Sequence, residues 1–345
     1  MKKILSLFLM LLMAAGSLFA QTEDTVKTEQ KKFTRKNMIP KFTCTVLGRY
    51  EYNTNIDAHH FEMRHTRVGV SGDIHPMFSY MALVDLTYGG AFSPVAIFAK
   101  FKPVKGLSFL IGFDKMPFSS ENLLSPYQYY FADKSFLTQK LTAWADVGGV
   151  VAYKWDKVVP FEVKLGVFNG QGFSKQMQFQ NNLMYVARGT FDFPANVKLS
   201  LNYASTQPEA IRMHNFGAGL AYDIKNLHLE AEYIYKWYQD KVFKPTQALY
   251  GFAYYKFKIG KSWLDNIALS ARYDAITPNY TCKLNPEGFY TQDIYRQRLT
   301  TGVTFVMVEK PVRGAIRIDY EKYFFHKGVE CKDDRLIIEL ITHFQ

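Results

Sequence analysis

Along most of this chain apolar and polar residues alternate with a period of two, the spacing that sends successive side chains to opposite faces of a strand. Phe42, Val46, Tyr50 and Tyr52 oppose Thr43, Thr45, Arg49 and Glu51. Phe161, Val163, Leu165 and Val167 oppose Glu162 and Lys164, and Leu336, Ile338, Leu340 and Phe344 oppose Arg335, Glu339 and His343. Sixteen such segments can be drawn: 41–52, 61–72, 77–88, 94–102, 106–115, 146–155, 159–168, 183–193, 196–205, 214–224, 227–238, 248–259, 265–275, 293–308, 312–324 and 334–344. One segment of this kind says little. Sixteen in succession predict an all-β chain, with no long amphipathic helix after the first twenty residues.

The connections carry a second pattern. Every other one is short and rich in turn residues, such as Asp73-Ile74-His75-Pro76, Pro194-Ala195 and Lys225-Asn226. Those between are mostly longer. A soluble β-sandwich gives no reason for that regularity, whereas a membrane β-barrel has tight turns at one end and larger loops at the other. The expectation is a transmembrane antiparallel barrel of about sixteen strands, 38–345, each strand supplying the ~9–11 residues a tilted crossing needs.

One connection stands apart. Between the strand patterns GLSFLIGFDKMPF and DVGGVVAYKW, residues Pro117 to Ala145 show no sustained alternation. Structureless loops of that length inside a compact fold are uncommon and usually functional. This one is third on the long-loop side and is expected to fold into the lumen and set its bore.

Composition refines the picture at the N-terminus. Lys2 and Lys3, then the apolar run Ile4 to Met13, then Gly16-Ser17-Leu18-Phe19-Ala20 read as a secretory signal over 1–20. Residues 21–37 are polar with mixed charge and read as a mobile arm. Removing the signal takes Lys2 and Lys3 with it and lowers the net charge from +11 to +9. A basic balance fits nucleic acid, an acidic lipid surface or anionic solutes, and export makes nucleic acid the weakest of these. The mean hydropathy of −0.15 suits a barrel whose lipid-facing and lumen-facing residues cancel. Aromatic residues cluster near strand ends, as at Tyr50 and Tyr52, Tyr153 and Trp155, and Tyr233, Tyr235 and Trp237. Amphipathic rings favour the headgroup level, although plain β-core packing would also place rings there.

Three cysteines cannot staple a chain this long. Cys282 and Cys331 fall in the seventh and eighth long loops, so either a disulfide between them or two separate thiols fits; Cys44 reads as a small apolar residue on the lipid face. His59, His60 and Glu62 sit by a loop and read as solvated rather than metal-binding. No GxSxG, HExxH or phosphate-cradling loop occurs, and no cofactor is expected.

Several segments together resemble the phosphate-selective porin O and P family. They are HFEMRHTRVGVSGDI, IGFDKMPFSSENLLSP, FADKSF followed by ADVGGVVAY, VFNGQG and LSARYDA, in that order over most of the chain. The resemblance implies a sixteen-stranded outer-membrane barrel, commonly trimeric, with cationic side chains lining its lumen.

Strand parity turns Arg49, Arg67, Lys164, Arg188, Arg272, Arg298 and Arg317 inward, among other bases. Acids on the same faces, including Glu51, Asp85, Asp274, Asp319 and Glu339, are nearly as frequent. A continuous ladder of free positive charge is therefore not expected; a mild preference for anions, with phosphate or polyphosphate among the candidates, is. In the long segment Lys134 and Lys140 are the candidate constriction bases, with Asp133 or Glu121 as a pinning group. The partners implied are outer-membrane lipid and small polar or anionic solutes. Two other readings compete: a barrel enzyme of the lipid-hydrolase type, with His228 as first suspect, and a closed structural or adhesive barrel. No Ser–His–acid arrangement that strand parity places together supports the enzyme, and single-channel conductance separates the closed barrel from a channel.

Overall fold

The computed structural model describes residues 38–87, 91–142, 144–309, 312–325 and 332–345. Residues 1–37, which hold the signal and arm expected from sequence, lie outside the described residues. The strands run β1 (Lys41–Asn53), β2 (Ala58–His75), β3 (Phe78–Asp85), β4 (Ser93–Val104), β5 (Leu107–Lys115), β6 (Ala145–Trp155), β7 (Phe161–Phe168), β8 (Met184–Phe193) and β9 (Val197–Thr206). They continue as β10 (Met213–Ile224), β11 (Leu227–Tyr238), β12 (Thr246–Lys261), β13 (Leu264–Ile276), β14 (Asn279–Leu284), β15 (Tyr290–Asp293), β16 (Arg296–Val308), β17 (Val312–Phe325) and β18 (Arg335–Phe344). Sixteen of them form one closed antiparallel barrel in chain order. β1 meets β18 through pairs such as Arg49 with Glu339, and closure leaves no edge.

β14 and β15 form a separate two-stranded hairpin. They fall, but for Asp293, in the connection 276–292, where strands of six and four residues are too short to show a period in the sequence. β13 pairs directly with β16 beneath it.

The two faces of each strand differ as the alternation predicts. Along β11, Leu229, Ala231 and Tyr233 are exposed while Glu232, Ile234 and Lys236 are buried. Along β16, Leu299 is exposed while Arg298 and Thr300 are buried. Apolar residues outside and charged residues inside invert the usual order of a water-soluble domain, and a hydrocarbon surround makes that order favourable. No helix among the described residues is long and apolar enough to cross a membrane. Rings gather on the outer face near strand ends, with Phe78 and Phe101 at 4.9 Å and His214 and Trp237 at 5.2 Å between centroids.

Two local devices shape the interior. In β2 the register slips by one residue: His65 pairs with Leu47, but Met63 pairs with Gly48, leaving Arg64 as the extra residue of a β-bulge. At the root of the long segment, Gly112 of β5 lies opposite Gly148 of β6. A Cβ on Gly112, whose φ is +142°, would sit 2.3 Å from the Ile97 carbonyl oxygen, and one on Gly148 would sit 2.3 Å from that of Val167. Only glycine lets these strands approach so closely.

Candidate functional site

The residues 116–144 that join β5 to β6 leave the sheet through a neck. The Met116 N–H donates to the Trp144 carbonyl at 3.1 Å, and the Phe118 and Trp144 rings stand 5.7 Å apart. Inside that neck the chain makes a short helical turn (Ser120–Leu123), a second (Pro126–Gln128) and a π-helical turn (Thr138–Thr142). Phe118, Phe136, Leu137 and Leu141 are buried against Phe168, Met184, Ile234 and Tyr250 of the barrel wall. Burying each such side chain is worth about 1.5–3 kcal/mol.

The polar contacts of this segment are more telling, because they come from six strands, β1, β8, β11, β13, β16 and β17. Four wall arginines donate to consecutive backbone carbonyls. Arg317 reaches Tyr129 and Phe131 (3.2 Å), Arg49 reaches Ala132 (2.8 Å), Arg272 reaches Asp133 (2.8 Å) and Arg298 reaches Lys134 (2.7 Å). Wall carboxylates accept from N–H groups within and just beyond that run: Asp319 from Ala132 at 2.6 Å and Asp274 from Phe136 at 2.7 Å. At the neck, Glu232 accepts from the Ser119 hydroxyl at 2.7 Å, and Arg188 donates to the Ser120 hydroxyl at 2.9 Å. An irregular segment cannot pair its own backbone groups as a helix does, and a buried unpaired group costs about 1–3 kcal/mol. The wall supplies the missing partners.

The same arginines are held by carboxylates. Arg49 meets Glu51 (2.7 Å), Asp133 (3.0 Å) and Glu339 (2.7 Å). Arg298 meets Asp274 (3.0 Å) and Glu321 (2.8 Å), and Arg317 meets Glu339 (2.8 Å). Arg335 bonds Asp133, Glu51 and Glu321. Burial opposes ionisation of Asp133, but the guanidiniums of Arg49, Arg335, Arg64 and Arg298 outweigh it and hold the carboxyl well below its usual range. Glu121 accepts from the Ser135 N–H and hydroxyl at 2.9 and 2.6 Å and from Arg272 at 3.2 Å.

Across the interior, the residues of β2 to β5 face open space. A cavity of about 480 Å³ is lined by Arg64, Arg67, Lys115, Lys134, His65, Asp85 and Glu339, among others. Asp85 is taken by His65 at 2.6 Å and Arg67 at 2.9 Å, and Glu339 by Arg49 and Arg317. Four bases thus share a lining with two acids, and two of the bases keep carboxylate partners of their own: Arg67 in Asp85, and Arg64 in Asp133 at 3.7 Å and Glu62 at 3.9 Å. Lys134 holds its ammonium 5.3 Å from the Tyr129 ring centre, and Lys115 donates to the Leu124 carbonyl.

Of the other residues singled out from sequence, Lys140 is ion-paired with Asp293 at 3.0 Å. Lys164 pairs with Glu162 at 2.9 Å. His228 stacks on Tyr130 at 4.8 Å, with Nδ1 2.7 Å from Asp223 and Nε2 3.3 Å from Glu230, so neither nitrogen is left to activate a serine. Cys282 is buried with Met213 and Tyr238, and burial pushes its thiol up to about 11. The disulfide reading cannot be placed, since Cys331 lies outside the described residues. His59, His60 and Glu62 form no metal-ligating group among the described residues. Sequence reasoning missed Arg64 and Lys115. The bulge that turns Arg64 inward breaks strand parity, and the Lys115 contact depends on how the long segment folds back.

No family model matches the sequence, and no curated protein matches it. Solved structures do. An anion-selective porin from Comamonas acidovorans aligns over 89% of this chain and 99% of its own, with TM-score 0.60 and 10% identity. The outer membrane channel DcaP of Acinetobacter baumannii aligns over 90% and 99%, with TM-score 0.59 and 12% identity. The trimer form of OmpT, an outer membrane protein of Vibrio cholerae, aligns over 89% and 98%, with TM-score 0.57 and 12% identity. At such identities the likeness is one of fold.

Proposed function

We propose that this protein is an outer-membrane porin. In this reading a water-filled barrel admits small hydrophilic solutes by diffusion, anions somewhat faster than cations, with no chemical turnover. The long-loop end faces the exterior, the segment 116–144 folds into the lumen and narrows it, and residues 1–20 are an export signal ahead of an arm over 21–37. The observation that carries the reading is the unequal division of charge inside the ring. On the side of β13, β16 to β18 and β1 the bases are spent on carboxylates and on the backbone of the long segment. On the side of β2 to β5 four bases border the remaining space, Arg64 and Arg67 with carboxylate partners beside them, so that bases outnumber acids in that lining. Cationic groups in a low-dielectric wall raise the local anion concentration and replace part of the hydration an entering anion loses.

The fold shared with outer-membrane channels supports the transport reading, and the anion-selective relative supports the sign of the preference. The sequence resemblance to the phosphate-selective porins makes phosphate and polyphosphate the first solutes to try. Association into trimers is part of the proposal, supported by a fold relative described in trimer form. Single-channel recording of the purified protein in a planar bilayer tests it. Conductance steps with a reversal potential displaced toward the chloride potential are expected. No steps would favour a closed structural barrel.

A further inference from the structure

Two further cavities flank the long segment at the long-loop end. One, of about 400 Å³, is bordered by Glu51, His59, His60, Arg296, Asp333 and Arg335. The other, of about 360 Å³, is bordered by Asp146, Gly170, Gly172, Lys236 and Lys283. Among the described residues, Lys140 is the one that lines both. The inner 480 Å³ cavity shares Gln139 with the first, and Trp144 and Ala145 with the second.

The β14–β15 hairpin borders the second cavity through Asn279, Thr281 and Lys283 and ends on the partner of Lys140. Its first strand is fixed to the wall, where Lys236 donates to Asn279 Oδ1 at 2.8 Å and to the Tyr280 carbonyl at 2.6 Å. The Tyr280 ring stacks on Phe243 at 4.0 Å. Its second strand ends at Asp293, which meets Lys140 of the long segment at 3.0 Å and Arg296 at 2.9 Å. The hairpin therefore reaches from the β11 wall to the long segment and ends on an ion pair.

The two sides differ in charge. Beside Lys140, Lys236 and Lys283 the single bordering carboxylate is Asp146, and its oxygens accept from the N–H groups of Val147, Gly170 and Gly172. The other side sets Arg296 and Arg335 against Glu51 and Asp333, a mixed lining.

We propose that the outer end of the bore is forked, with the Lys140–Asp293 ion pair as a strut between two entrances, of which the one beside Lys236 and Lys283 admits anions. This rests on the channel reading above. The strut acts through one pair, so its two partners should behave as a unit rather than as separate charges.

The test is single-channel conductance and reversal potential for Lys140→Met, Asp293→Asn and the double variant. Each single change should raise conductance and reduce anion preference as the entrances merge, and the double variant should go no further than either alone. Unchanged conductance, or two effects that simply add, would overturn the strut. Protease cleavage of the Asn285–Gly288 turn in outer-membrane vesicles reads the same pair without any current. It should accelerate in each single variant and no further in the double. Faster cleavage with unchanged conductance would mean that the pair only tethers the hairpin, and the fork would fall. A wild-type protein silent in bilayers overturns the channel reading instead, and cleavage alone then decides whether the strut exists.

Discussion

The two halves of the barrel interior carry the same residue types and use them differently. Arg49, Arg272, Arg298 and Arg317 are almost wholly enclosed, and each divides its donors between carboxylates and carbonyls of the 129–134 stretch. Arg64 and Lys134, across the interior, border a cavity; Arg64 lies 3.7 Å from Asp133 and 3.9 Å from Glu62, but its side chain stays about one-third exposed. A count of inward bases gives no hint of this division. An arginine fork matches carboxylate and carbonyl geometry well enough to serve as a clamp. Once its donors are occupied and its charge matched, it adds little to the field a passing ion meets. The contrast shows that inward charge in such a barrel has to be sorted by partner before it is read as selectivity.

Arg298→Met should give the largest effect. It leaves Asp274 and Glu321 short of a partner and the Lys134 carbonyl bare, and breaking a buried pair in this way costs about 3–5 kcal/mol. The folded band on unheated gels should melt at lower temperature, and the current should become noisier as the long segment loosens. A comparable loss from Arg64→Gln would erase the distinction between the two walls.

Acid should matter less than the number of carboxylates suggests. Asp133 has its native value depressed by the arginines around it. Its contribution is therefore complete above the ordinary carboxylate range and is lost only as pH falls through the lower native value. The Asp133 contacts should hold from neutral pH into the mildly acidic range, while Asp133→Asn should lose them at every pH. A wild-type transition near the ordinary aspartate value of about 3.9 would contradict the clamp.

Lys164→Met should give the smallest effect. Its pair with Glu162 is about one-third exposed on each side, and such pairs are worth about 0–1 kcal/mol. Melting temperature and reversal potential should barely move, which makes it the control for charge removed outside either wall.

Much of this architecture can be read from the residues. Alternation locates the sixteen ring strands to within a few residues, as at 227–238, where the drawn segment and β11 coincide. The irregular stretch after Lys115 stands out because it alone lacks a period. The partners that the wall arginines find in the long segment do not, because they join residues up to 202 positions apart, as Asp133 and Arg335, and depend on how that segment folds, which no local pattern encodes. The bulge at Arg64 is hidden for a different reason: one extra residue shifts parity without changing composition.

The most direct measurement is the reversal potential of a variant that neutralises Arg64 and Lys134 together, recorded in a potassium chloride gradient beside the unaltered protein. The account predicts that the anion preference collapses while single-channel current persists. An unaltered reversal potential, with the pore still conducting, would show that selectivity does not come from the β2–β5 side at all.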